Sequence, residues 1–219
     1  MIKSLKVGAT LRFPFPMYVA PPSAVHNETL HMSNGSMLIT LPQRRDQTSQ
    51  LINKRELFIP KVREEVNHQI SYTPYSVGGV CYVQTNGMVV SSGFSGCLMA
   101  VYLFNNQRRV AHVYAEAGAL VDCKQYFRNL MTQANYQFIQ YFRPYTDHKD
   151  GQFQVDVIKR GVNLNYYGGI FAAQQAIVTF GFVSATNQCY SVSARKIDDQ
   201  NFDILRVRRS FPSRNVNTI

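Results

Sequence analysis

The chain has 219 residues, 45% of them hydrophobic and 16% charged, with 13 tyrosines, 14 phenylalanines and no tryptophan. A chain of this length and composition buries about 70% of the surface its unfolded form exposes, which excludes a disordered segment and a small scaffold that folds only when stapled. Lys and Arg outnumber Asp and Glu by 23 to 13, and the resulting net charge of +10 favours acidic partners without selecting one class of them.

The opening stretch MIKSLKVGATLRFPFPMYVAPPSA has no continuous apolar run of the kind a cleaved secretion signal needs. No window approaches the ~18 apolar residues of a membrane-spanning helix, so no membrane span is expected and export would use another route. From Pro14 to Asn53, prolines, serines and asparagines interrupt short apolar runs such as Met37 to Leu41, which predicts irregular chain with one or two strands. Alternating charges from Pro60 to His68 predict a short helix. From Gly78 the pattern turns to β, with two β-branched or aromatic runs around Asn86-Gly87 that predict a hairpin.

Cys97 to Phe104 and Gln107 to Tyr114 form a second candidate hairpin, joined at Asn105-Asn106. Asp122 is a helix-capping residue. Behind it, in DCKQYFRNLMTQANYQFIQYF, Cys123, Tyr126, Phe127, Leu130, Met131, Ala134, Phe138 and Tyr141 fall on one helical face and predict a long helix. Strand-like runs follow at Phe153 to Ile158, Ile170 to Val183, Cys189 to Ala194 and Phe202 to Val207. No repeat or linker divides the chain, so residues 1–219 are expected to form a single domain. Its predicted class is α+β but predominantly β, with two packed sheets and at least one helix laid against them.

The four cysteines, Cys81, Cys97, Cys123 and Cys189, form no CxxC pair and no cluster with histidine at metal-ligand spacing, so neither a metal nor any other cofactor is expected. Reduced thiols are the default reading, and Cys81, Cys123 and Cys189 are read as packing residues. His26, His31, His68 and His148 lie in polar contexts and receive no role. The basic run Arg206, Arg208, Arg209 and Arg214 reads as an exposed strand edge rather than a nucleic-acid arm, and nucleic acid is not the favoured partner.

The chemistry concentrates in SSGFSGC, residues 91–97, and in His112, 15 positions beyond Cys97. With a two-residue turn at Asn105-Asn106, residue i faces residue 211 minus i, so Met99 lies opposite His112. Alternation then puts Cys97, Met99, His112 and Tyr114 on one face. A three-residue loop would send the histidine to the other face. A thiol with an ordinary pKa of ~8.5 is mostly protonated at neutral pH, and an adjacent imidazole can take its proton. Gly93 and Gly96 let main chain approach closely, so N–H groups of Ser95, Gly96 and Cys97 form a candidate oxyanion hole. The competing reading makes Cys97 and His112 ordinary core residues, since cysteine is among the most buried residue types.

The run FSGC with a histidine 15 residues later resembles the catalytic segment of the cytotoxic necrotizing factor deamidase domains, and also that of toxins of the Burkholderia lethal factor type. The resemblance covers residues 78–117. It implies a two-sheet β-sandwich with flanking helices, Cys97 as nucleophile and His112 as general base. Ser91 stands where the lethal-factor type carries a site-orienting threonine, and Phe94 stands where leucine is usual.

The implied activity is conversion of glutamine to glutamate in a folded protein, a host GTPase or a nucleotide-dependent helicase or translation factor. The protein would be a monomeric secreted or injected bacterial effector working in the target cell's cytosol. Ser91, a main-chain carbonyl and Glu116 are each able to orient His112. Three alternatives stand beside this reading. They are transglutaminase chemistry, another cysteine amidase, and a basic binding module using Arg195, Lys196, Arg206, Arg208 and Arg209.

Overall fold

A computed structural model of the chain describes residues 5, 7–12, 30–32, 36–44, 50–52, 55–57, 63–73, 75, 78–94, 96–115, 122–144, 152 and 177–219. The strands, in chain order, are β1 Thr10–Arg12, β2 Leu30–Met32, β3 Ser36–Arg44, β4 Gln50–Ile52, β5 Arg55–Leu57, β6 Arg63–Tyr72, β7 Val80–Gln84 and β8 Val89–Ser92. There follow β9 Leu98–Phe104, β10 Gln107–Val113, helix α1 Cys123–Leu130, β11 Tyr136–Phe142, β12 Ile177–Val183, β13 Cys189–Lys196 and β14 Asn201–Ser210.

The chain is predominantly β, and two sheets carry it. The first closes on itself in the order β1-β14-β13-β12-β8-β6-β3, the seam being the Arg12 to Thr40 pair between β1 and β3. The second is five-stranded, in the order β11-β9-β10-β7-β2, and β4 with β5 forms a separate ribbon. The expected runs at Met37 to Leu41, Cys189 to Ala194 and Phe202 to Val207 lie inside strands of the closed sheet; of the run from Ile170 to Val183, Ile177–Val183 is strand β12 and 170–176 lie outside the described residues, as does Phe153 to Ile158.

Wholly buried strands mark where the two sheets meet. Every residue of β8 and β12 is buried, because each strand is covered on both faces. Val90, Val178, Phe180 and Phe182 pack inside the barrel with Leu11, Ile70, Val192 and Phe202. The alternate residues Val89 and Val183 belong to a second core with Val101, Tyr102, Val110 and Phe127. Each fully buried phenylalanine contributes about 1.5–3 kcal/mol through removal of apolar surface from water.

Three expectations are corrected. The predicted helix at Pro60 to His68 is occupied from Arg63 by strand β6, which pairs residue for residue with β3 from Ser36↔Ser71 to Arg44↔Arg63. A charge pattern is a local preference, and nine cross-strand pairs override it. Asn86-Gly87 joins no hairpin either: β7 pairs with β10 and β2, while β8 pairs with β12 and β6, so this turn carries the chain from one sheet to the other. Arg108 holds it there, its guanidinium donating to Thr85 O at 2.7 Å, Gly87 O at 3.0 Å, Ser184 O at 2.9 Å and Asn187 Oδ1 at 2.8 Å.

The third correction is the long helix. Asp122 caps α1, its Oδ1 accepting from Gln125 N at 2.9 Å, but the helix stops at Leu130. The apolar spacing continues past that point, yet Tyr136 to Phe142 is strand β11, paired with β9 from Tyr136↔Phe104 to Phe142↔Met99. Aromatic residues favour a pleated, half-buried surface, and β9 offers its main-chain groups to this strand.

Candidate active site

The hairpin that the site depends on has the predicted register. Asn105 and Asn106 both take positive φ, 49° and 62°, the signature of a two-residue hairpin turn matched to strand twist. Met99 therefore pairs with His112 and Leu98 with Val113. The expected pairing of Cys97 with Tyr114 is corrected: the ladder ends at Leu98 with Val113, Tyr114 N donates to Gly79 O at 3.2 Å, and Cys97 stands one residue before β9, outside the pairing that would fix its face. Cys97 packs in the same core cluster as Phe94, Met99, Tyr114 and Cys123 and is 3% exposed.

The loop between Ser92 and Leu98 crosses from the closed sheet to the five-stranded one. Gly93 sits at φ 80°, a conformation other L residues rarely adopt. At Gly96 a Cβ would lie 2.9 Å from Ala115 O, so only glycine lets this loop rest against the end of β10. Gly96 is exposed although Cys97 is buried, and among the described residues its N–H has no hydrogen-bond partner. Ser95 and Glu116 lie outside the described residues.

His112 is 1% exposed. Its Nδ1 lies 2.8 Å from Ser91 Oγ, and Ser91 Oγ donates to Thr73 O at 2.5 Å. This second bond fixes the tautomer. The serine hydroxyl has one proton and gives it to Thr73, so it can only accept from the ring, and Nδ1 must carry hydrogen. The Nε2 lone pair is left as the basic site, and that atom is buried without a hydrogen-bond partner. Thiol and imidazole are therefore not hydrogen-bonded to each other in this state. Phe94 stacks on the imidazole at 4.4 Å and 10°, and Tyr75 meets its edge at 5.5 Å and 65°. Burial lowers the imidazole pKa to about 3, so the ring is neutral throughout the physiological range.

Three residues near the site were not singled out by the sequence. Thr73 O terminates the Ser91 relay, and nothing in the primary structure marks it. Tyr75 closes one edge of the ring. Gly181 pairs with Ser91 across β12 and β8, and a Cβ there would collide with Met99 Sδ, stand 2.8 Å from Pro144 Cγ and 3.2 Å from Phe94 Cε2. An isolated glycine inside a strand pattern signals such an approach, and TFGFV carried that signal.

All four cysteines are free and buried. Burial, with the nearby Asp122 and Cys97 groups, pushes the Cys123 thiol up to about 11. Burial likewise raises Cys189 to about 12 against the opposing Gln140 hydrogen bond and Arg108 charge. Both remain protonated and inert at neutral pH. Arg206, Arg208 and Arg209 lie on the half of β14 that pairs with β13 alone, since β1 reaches only to Asp203. Arg195 and Lys196 are committed to ion pairs with Asp203 and Asp199 at 2.8 and 2.7 Å. Among the described residues no helix is long and apolar enough to cross a membrane, and no three His, Cys, Asp or Glu side chains gather as metal ligands. No protein-family model matches the chain, and no curated protein matches it.

Proposed function

We propose that this protein is a cysteine-dependent glutamine deamidase of the toxin or effector type, converting a glutamine of a folded target protein to glutamate. The observation that carries the proposal is the relay from Thr73 O through Ser91 Oγ to His112 Nδ1, with contacts of 2.5 and 2.8 Å. An imidazole held in one tautomer with a buried, unpaired Nε2 supports the reading that this nitrogen serves as base for the Cys97 thiol. A histidine that served only to fill the core would have no need of an unpaired Nε2.

In the proposed reaction Nε2 takes the Cys97 proton as sulfur bonds to the side-chain amide carbon. The carbonyl oxygen becomes an oxyanion facing the N–H groups of Ser95, Gly96 and Cys97. The imidazolium returns its proton to the departing nitrogen, ammonia leaves, and a thioester remains. A water deprotonated by Nε2 then attacks the thioester, releasing the glutamate carboxyl group and restoring the thiol. Amide and water become carboxylate and ammonium, and the target gains one negative charge. His112 is uncharged at rest, and its protonated form finds a partner only while sulfur or oxygen carries negative charge. Substrate approach runs past exposed Gly96 and requires an opening above the buried sulfur.

The proposed target is a GTPase, or a nucleotide-dependent helicase or translation factor, in which a glutamine orients attacking water; a carboxylate there would impair hydrolysis. Delivery as a secreted or injected effector into the target cytosol, a monomeric state, and the finer fold of a two-sheet sandwich with flanking helices belong to the same proposal. Peptide mass spectrometry of candidate targets tests it. The wild type is expected to add ~1 Da at one glutamine, the difference between NH₂ and OH in this chemistry, and Cys97→Ser is expected to add nothing. Equal gain with both proteins would contradict the proposal. Incorporation of an added primary amine at that glutamine would favour transglutamination.

A further inference from the structure

β11 is an edge strand of the five-stranded sheet, and its outer side is only partly used. Tyr141 exchanges both main-chain hydrogen bonds with Ser213, at 2.9 and 2.8 Å, in an antiparallel bridge. Upstream of that bridge, among the described residues, Gln137, Phe138 and Gln140 pair with β9 on one side and with no strand on the other. The register shifts between Phe138 and Gln140, leaving Ile139 in a bulge. Bulges commonly shield edge strands or re-aim their side chains.

This open edge forms one wall of a cleft of about 520 Å³ whose opposite wall is the end of β14 and the chain beyond it. A volume of this size suits a ligand or an extended segment of chain. Arg209 and Arg214 line the cleft, both exposed, and neither side chain has a hydrogen bond or ion pair among the described residues. No Asp or Glu is among its lining residues. Phe211 stands between the two arginines in sequence and is 89% exposed, the most exposed large hydrophobic side chain among the described residues. Two exposed guanidinium groups with no protein partner among the described residues, a projecting aromatic ring and main-chain groups on an open strand edge are complementary to one kind of partner.

We propose that this cleft docks an extended acidic segment of a partner protein, which adds to β11 as a further strand and pairs its carboxylates with Arg209 and Arg214. The Tyr141 to Ser213 bridge is the first step of that ladder, already occupied by the protein's own chain. Strand addition supplies affinity through main-chain hydrogen bonds, and the arginines supply selection for charge. The surface stands apart from the deamidase reading, so Cys97→Ser is expected to dock the segment as well as the wild type does.

Fluorescence anisotropy with the labelled peptide Val-Glu-Val-Asp-Val-Glu tests the proposal. Saturable binding is expected, weakened about tenfold by the double substitution Arg209→Ala and Arg214→Ala. Both positions are exposed, so the fold is not at risk. A peptide with Gln and Asn in place of the acids should bind more weakly by a similar factor, and one N-methylated at alternate amides should not bind. Absence of binding by the acidic peptide, or undiminished binding by the double variant or by the methylated peptide, would overturn the proposal. So would a single-stranded oligonucleotide that binds more tightly through the same two arginines.

Discussion

His112 makes the stability of the native state depend on pH in a calculable way. In the unfolded chain the imidazole titrates near its ordinary value of about 6.5, whereas in the folded protein burial lowers it to about 3. Between these values the unfolded chain binds a proton that the native state refuses, so stability rises with pH across the window. The contribution is intact above about 6.5, falls as the pH drops toward 3 and levels off below that. From pH 7 to pH 5 the two titration curves give a loss of about 2 kcal/mol from this group alone, approaching about 5 kcal/mol at the acid limit.

Urea unfolding followed by far-ultraviolet circular dichroism at both pH values measures the loss. Other groups titrate over the same range, so the comparison is with His112→Gln, whose amide can still donate to Ser91 but takes up no proton. The wild type should lose about 2 kcal/mol more than the variant between pH 7 and pH 5. Equal losses would show that the imidazole is hydrated and titrates normally, and the tautomer argument would fall with that.

Ser91→Ala should cost about 1–3 kcal/mol by leaving Nδ1–H and Thr73 O unpaired in the interior, and should abolish glutamine turnover. Ser91→Thr, which keeps the hydroxyl, should restore both, as read by urea unfolding and ammonia release. Gly181→Val should destabilise by about 1–3 kcal/mol through overpacking against Met99, Pro144 and Phe94, with loss of the Phe94 stack seen as a shifted His112 proton resonance. Arg108→Lys keeps the charge but cannot reproduce a planar fork bonded to four acceptors. It should cost about 2–4 kcal/mol by leaving buried carbonyl groups without donors, measurable as a lower urea midpoint.

The hairpin carrying the candidate base was more legible than the fold around it. His112 and the Asn105-Asn106 turn lie within one hairpin that begins one residue after Cys97, and a two-residue loop with positive φ leaves a single register, so arithmetic on the sequence was sufficient to pair Met99 with His112. Ser91 was legible as one of three candidates. Its selection depends on Thr73, which lies in a different strand connection and reaches the site only because β6 and β8 are neighbours in the barrel.

The misread elements share one cause, since each was inferred from neighbours in sequence when its partners lie far away in the chain. Asn86-Gly87 has the composition of a hairpin turn, but Arg108, more than twenty residues later, holds it as a passage between sheets. The apolar spacing through Phe138 and Tyr141 fits a helix as well as it fits a bulged strand, and the unpaired edge of β9 decides between them. Closure of the first sheet rests on a short pairing between β1 and β3, which no periodicity in the sequence announces.

The claim that Cys97 is the nucleophile can be tested without knowing the target. Iodoacetamide carries the same carboxamide group as a glutamine side chain, and peptide mapping over time reports which of the four thiols it reaches first. The account predicts that Cys97 is alkylated at least tenfold faster than Cys81, Cys123 and Cys189 at neutral pH, and that His112→Gln removes the advantage. Alkylation of Cys97 no faster than the other three, or at a rate unchanged by His112→Gln, would leave it a core residue and contradict the proposed chemistry.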